Sequence, residues 1–221
     1  MDTLFLFPTT NELQSVHRSH KSGVLYKTPS FDCICIGMGK REITIDSCYL
    51  PVIIGYAGAL CPQLKTGDIV VSTHFITNDK ELHLQQNNKF ATEFVAHLNS
   101  IGIRSYHKSI YTASGIISQK KQKQNIYEQG ASIVDMEGFW LAEKYPNLLS
   151  IRVILDTYEM HLPDFTNTIK GNGEISLANT FKHLLKYPHH IISLLKVFYL
   201  TTKIKPILKK CCYSMAAFRR S

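Results

Sequence analysis

Short apolar runs that break off at a glycine or a polar residue, with helix-like stretches between them, govern what this chain can fold into. Residues 3–7 (Thr-Leu-Phe-Leu-Phe), 32–37 (Asp-Cys-Ile-Cys-Ile-Gly), 51–55 (Pro-Val-Ile-Ile-Gly) and 68–73 (Asp-Ile-Val-Val-Ser-Thr) are of this kind, as are 104–112, 131–135 and 149–156. Their length and their β-branched and aromatic content read as buried strands. Residues 11–16, 89–100, 120–128 and 137–144 read as helices, with Phe90, Phe94, Val95 and Leu98 forming the clearest apolar stripe. This alternation predicts an α/β fold, a three-layer α/β/α sandwich around a central, largely parallel or mixed sheet. In such folds ligands sit beyond the carboxyl ends of strands. Glu12, the Tyr56-Ala57-Gly58 turn, Met136-Glu137 and Asp156 all fall there.

Charge separates the chain into two parts. Nine of the 25 Lys and Arg residues lie in 181–221, which has no Asp or Glu, leaving 16 basic against 17 acidic residues in 1–180. The formal net charge of +8 therefore belongs to the tail, and neither part carries a nucleic-acid-binding motif, so no nucleic-acid partner is expected. Residues 177–201 have a helical pattern interrupted at Tyr187-Pro188. The tail is expected to pack on the body as a helix, with disorder beyond about residue 205, rather than to lie on a membrane surface. No apolar run approaches the roughly 18 residues that span a bilayer, and residues 1–8 lack the basic start of a signal peptide. A cytoplasmic address follows as an expectation.

The metal-ligand types give no site by spacing. Cys33-x-Cys35 has no second Cys/His pair at zinc distance, and the six cysteines form no disulfide framework, so buried free thiols are expected. None of the ten histidines pairs with a second ligand at a metal spacing, and neither a metal nor a cofactor is predicted. Gly37-Met38-Gly39-Lys40 lacks both the spacing of a phosphate-binding loop and the third glycine of a dinucleotide fingerprint.

Three segments carry more when taken together. They are Gly55-Tyr56-Ala57-Gly58-Ala59-Leu60 with Leu64-Lys65-Thr66-Gly67-Asp68-Ile69-Val70-Val71 after it, Val134-Asp135-Met136-Glu137-Gly138-Phe139, and Arg152-Val153-Ile154-Leu155-Asp156-Thr157. In order and wording they resemble the nucleoside phosphorylase/nucleosidase superfamily over roughly residues 3 to 165. The likeness is to its hydrolytic branch of methylthioadenosine/S-adenosylhomocysteine nucleosidases and futalosine-type hydrolases. The resemblance implies that Asp156 protonates the purine at N7, that Glu12 activates the attacking water, and that Glu137 takes the ribose hydroxyls with Met136 packed against the sugar. It also implies that Ala57 and Gly58 let backbone approach the ligand, that Ile116 borders the purine, that no cofactor is needed and that the chain forms a homodimer. Residues 1–180 would be the catalytic domain and 181–221 the basic helical tail.

The residue types suit those roles. One carboxylate accepts two hydroxyl donors and steadies positive charge on a ribosyl ring. A carboxyl at the mouth of an apolar strand is desolvated and holds its proton toward neutrality. Each segment also has a plainer reading: a tight turn at Ala57-Gly58, a dipole-favoured carboxylate at Glu137, a strand-end cap at Asp156. Two enzyme classes stay open, a hydrolase and a phosphorylase, beside a non-catalytic nucleoside-binding module and a membrane- or nucleic-acid-binding use of the tail. Ile53 stands where the phosphorylases carry a phosphate-gripping arginine, which favours water as nucleophile. Tyr56, Phe139-Trp140 and Tyr158-Glu159 are bulkier than the family pattern and leave the substrate's 5′ group open.

Overall fold

The computed structural model describes residues 2–18, 21–160, 176–188 and 190–219. Strand β1 (Asp2–Phe7) leads into one helical turn, α1 (Thr10–Leu13), followed by β2 (Leu25–Lys27), β3 (Asp32–Cys35), β4 (Tyr49–Ala59) and β5 (Ile69–Ser72). The hairpin β6 (His74–Ile76) and β7 (Glu81–His83) precedes α2 (Asn88–Ser100), β8 (Ser105–His107) and β9 (Ile110–Thr112). Then come α3 (Lys120–Glu128), β10 (Ile133–Asp135), α4 (Gly138–Lys144), β11 (Leu149–Asp156), α5 (Leu177–Lys186) and α6 (His190–Phe218).

The eleven strands among the described residues join one mixed sheet, and β4 organises it. Strand β11 runs parallel along one side of β4 from Val52 to Gly58. On the other side β1 pairs with Tyr49 to Ile53 and then stops, while β10 joins antiparallel only at Gly58 and Ala59. A seam is left between them, where the backbone of β4 has no strand beside it. This is the kind of switch point at which open α/β sheets bind ligands.

Side chains alternate across the sheet as strand geometry requires. Phe5, Phe7, Val52, Ile54, Ile151 and Val153 face one way, into a cluster with Leu13 of α1, Phe94 and Leu98 of α2, and Ile204, Leu208 and Met215 of α6. Leu4, Leu6, Ile53, Val70 and Ile154 face the other way, against Phe139, Leu141 and Ala142 of α4. Helices on both faces of a mixed sheet make the three-layer sandwich that the pattern predicts, and burial of both faces explains why the strands read as near-continuous apolar runs.

Several local expectations change. The Tyr56-Ala57-Gly58 segment is not a turn but the last part of β4, carried on by its pairing with β11. Residues 104–112 form two strands, because Ser105–His107 pairs with β5 whereas Ile110–Thr112 pairs with β6 and β10. The helix expected over 11–16 shrinks to four residues. The tail remains helical to Phe218, past the point where disorder was expected, because Ile204, Leu208, Cys211, Cys212 and Met215 are buried in the core. The earlier part of α6 exposes Ile192, Leu195, Phe198 and Tyr199. Among the described residues no helix is long and apolar enough to cross a membrane. The six cysteines are all free; five are buried as expected, while Cys48 is exposed.

Candidate active site

The seam beside β4 gathers acids from three separated parts of the chain. Glu12 comes from α1, directly after β1 ends. Thr9 caps that turn: its hydroxyl accepts from the Glu12 amide, and its own amide and hydroxyl donate to Glu12 Oε2 at 2.8 and 2.7 Å. This reciprocal cap fixes the side chain. The other oxygen, Oε1, accepts from the Tyr56 amide at 2.7 Å, at the place where β1 no longer pairs with β4. Gly55 makes this possible, because a Cβ there would collide with Glu12 Oε1 and lie 3.0 Å from Arg152 Nη1. Burial lifts the Glu12 pKa, while Thr9, Tyr56 and Arg152 pull it back.

Glu137 stands between β10 and α4, 3 % exposed. Its Oε1 accepts from the Gly39 amide at 2.9 Å, and Gly39 holds φ +74°, which suits glycine. The Gly-Met-Gly-Lys turn thus serves a carboxylate rather than a phosphate. Burial pushes Glu137 up to about 7, opposed by Arg152 and helped by Asp135. Met136, beside it, is half-buried.

Arg152 and Asp135 carry no assigned role in the sequence reading, yet Arg152 is the hub of the site. Its side chain is fully buried; Nη2 donates to Asp135 Oδ2 at 2.5 Å and to Glu137 Oε2 at 3.4 Å. Asp135 is held in turn by the Thr112 hydroxyl at 2.7 Å and the Gly138 amide at 3.0 Å. Arg152 Nε and Nη1 find no hydrogen-bond partner among the described residues. Buried donors of this kind are costly to leave dry and are commonly satisfied by water or ligand. A signal existed in the sequence: an arginine inside the run Ser150-Ile151-Arg152-Val153-Ile154 is rare without a buried partner.

Asp156 ends β11, beside Gly58. A Cβ at position 58 would lie 2.9 Å from Asp156 Oδ1 and 3.1 Å from Val134, so glycine makes room for the carboxyl. Asp156 Oδ2 accepts from Lys123 Nζ at 2.7 Å, and the same ammonium donates to the carbonyls of Thr157 (2.9 Å) and Met160 (3.2 Å). Burial raises the Asp156 pKa and the Lys123 charge opposes the rise. Lys123 has no exposed surface; its sequence context of Lys, Gln and Asn hides it, but it shares the inward face of α3 with Ile126. Ala57 is buried in β4, and Ile116 is half-buried in the connection from β9 to α3. Tyr56 is half-buried, and its hydroxyl also has no partner among the described residues.

The candidate site is thus a sheet seam lined by buried carboxylates around an arginine with two spare donors. Residues 51–185 match the family model of the phosphorylase superfamily, and the chain belongs to that superfamily. No curated protein matches it in sequence. Among solved structures it is similar to the 5′-methylthioadenosine/S-adenosyl homocysteine nucleosidase of Helicobacter pylori, with a TM-score of 0.65 at 13% identity over 96% of both chains. It is similar too to the futalosine hydrolase of Helicobacter pylori strain 26695, with a TM-score of 0.64 at 15% identity over 96% of both chains. A putative methylthioadenosine nucleosidase from Weissella paramesenteroides gives 0.57 at 15%, covering 97% of this chain and 98% of its own. At such identities the likeness is one of fold.

Proposed function

We propose that the chain is a hydrolase that cleaves the N-glycosidic bond of an adenine nucleoside of the methylthioadenosine, S-adenosylhomocysteine or aminodeoxyfutalosine type. The observation that carries this reading is the pair of spare donors on buried Arg152, set beside the Glu12 carboxylate at a seam free of strand pairing. A water held there has a carboxylate to take its proton and a guanidinium to orient it. Glu137 receives the ribose hydroxyls and stabilises the cationic sugar, with Met136 against its ring. Asp156 gives its proton to N7 of the base, so that adenine leaves neutral. Ala57 and Gly58 admit the ligand, and Ile116 covers the purine.

Water suits this site better than phosphate. Arg152 already balances Asp135 and Glu137, and Glu12 adds another buried carboxyl. A phosphate dianion would face those carboxylates with Ile53, fully buried, in place of a second cation. Adenine release from the three nucleosides, with and without phosphate, tests the proposal. Release that does not need phosphate is expected; release only with phosphate identifies a phosphorylase, and saturable binding without release identifies a binding module. The same reading takes 1–180 as the catalytic domain and 181–221 as its helical tail, in a cytoplasmic homodimer, which sedimentation and localisation of the tagged chain would check.

Lys123 has a defined part in this scheme. Its charge stabilises the ionised form of Asp156 and its hydrogen bond leaves Oδ1 for the base. Lys123→Met removes that charge, so Asp156 keeps its proton to higher pH. The alkaline limb of kcat/KM is expected to move up by about 1–3 pH units, as read from a pH–rate profile. Loss of packing alone would lower the profile without moving its limb.

A further inference from the structure

Away from the seam, the hairpin at the edge of the sheet gathers three ligating side chains. Strands β6 and β7 pair antiparallel with His74 opposite His83, so their side chains share one face. Glu81 lies two residues before His83 and shares that face as well. The imidazoles stack with centroids 3.7 Å apart and planes 20° apart. Both Nε2 atoms turn to one carboxylate oxygen, Glu81 Oε1, at 2.6 Å from His74 and 3.0 Å from His83. Among the described residues no other group of three or more His, Cys, Asp or Glu side chains brings its ligand atoms together in this way. His20, His161 and His189 lie outside the described residues.

From this geometry we propose a binding site for a divalent transition ion of the zinc type, held by His74 Nε2, His83 Nε2 and the Glu81 carboxylate. A tetrahedral ion with bonds of about 2.0–2.1 Å sets its ligand atoms roughly 3.3 Å apart. The three ligand atoms lie within 4.8 Å of one another, so side-chain rotations that change their separations by no more than roughly 1.5 Å bring them to that spacing. Each imidazole binds the ion as the neutral tautomer that carries its proton on Nδ1, so the proton now directed at Glu81 moves from Nε2 to Nδ1 and Nε2 is left free to ligate. His74 and His83 also line a cavity of ≈ 260 Å³ with Thr73, Gln85, Asn88 and His107, which leaves the fourth coordination position open to water. Two imidazoles and one carboxylate match the preference of zinc for nitrogen and oxygen donors better than that of magnesium or calcium. Bound there, the ion cross-links the two short strands at the sheet's free edge. Glu81-x-His83 alone does not show the site, because the third ligand comes from the paired strand.

The experiment is titration of the chelator-treated full chain with Co(II), followed by visible absorption, and with Zn(II), followed by calorimetry. One ion per chain is expected, with Co(II) giving the intense bands of a four-coordinate site and Zn(II) raising Tm. His83→Ala and Glu81→Gln, both at exposed positions, are expected to keep the metal-free Tm and to weaken binding by at least about tenfold. Cys48→Ser, which removes the exposed thiol, should leave binding unchanged. Absence of binding to the parent chain overturns the proposal, as does binding that survives in both ligand variants or is lost in Cys48→Ser.

Discussion

Replacing Asp156 with Asn is expected to cut adenine release by about 10²–10⁴-fold, the usual share of a general acid in the rate. The amide can still accept the hydrogen bond from Lys123 but has no proton to give. The defect should depend on the leaving group. A ribosyl p-nitrophenolate departs as a stable anion and needs no acid, so the variant should cleave it at nearly the parental rate. Parallel kinetics on the two substrates separate chemistry from folding, since a misplaced strand end slows both. Equal losses would remove Asp156 from the acid's role. Burial raises the pKa of Glu12 and of Asp156 alike. The proposed mechanism needs Glu12 ionised and Asp156 protonated, so activity is expected to fall as pH drops through the lifted Glu12 value and again as pH rises through that of Asp156.

Arg152→Met should have the largest effect on stability. It leaves Asp135 and Glu137 buried side by side without their cation. Breaking a buried pair by removing one partner costs about 3–5 kcal/mol, which for a chain of this size is a Tm lower by roughly 6–20 °C. The sign of its pH dependence follows from linkage. Without Arg152 the folded-state pKa of Glu137 rises above the value of about 7 that it has with the arginine in place. The folded variant then binds more protons than the unfolded chain, and its stability falls as pH increases through that range. The deficit should therefore be smaller at pH 5 than at pH 8 in thermal unfolding. A pH-independent deficit would mean that lost packing, and not stranded charge, is what the arginine prevents. Activity should vanish in either case, because the donors for the water leave with the side chain.

Local pattern carried the sequence furthest where an element answers to its own residues. The bounds expected for α3 and for β11 coincide with those observed, Lys120–Glu128 and Leu149–Asp156. The apolar stripe of α2 buries Phe94 and Leu98 as expected. What escaped is set by partners distant in sequence. Tyr56-Ala57-Gly58 looks like a turn because small residues favour turns, yet β11 keeps it extended. The strand over 104–112 divides because its two halves pair with different strands. The hairpin β6–β7 has three-residue strands with exposed polar ends, below the length at which alternation is visible. Glu12, Glu137 and Asp156 stood out as acids at strand ends, and the first two share the Arg152 network. Arg152 carries a local signal, a cation inside an apolar strand, whereas Lys123 carries none, because nothing local distinguishes a lysine that turns inward from the two beside it in Lys120-Lys121-Gln122-Lys123.

The burial of α6 has a consequence for how the chain is made. Phe5 and Phe7 of the first strand share one apolar cluster with Leu208, Cys211 and Met215. About 200 residues separate those partners, so at ordinary elongation rates of roughly 5–20 residues per second they are born some 10–40 s apart. Until α6 emerges, the cluster around Phe5 and Phe7 has Leu13, Phe31 and Phe94 but lacks the side chains that α6 contributes. Synthesis of this protein thus includes an interval in which its largest core cluster is complete except for the side that α6 closes.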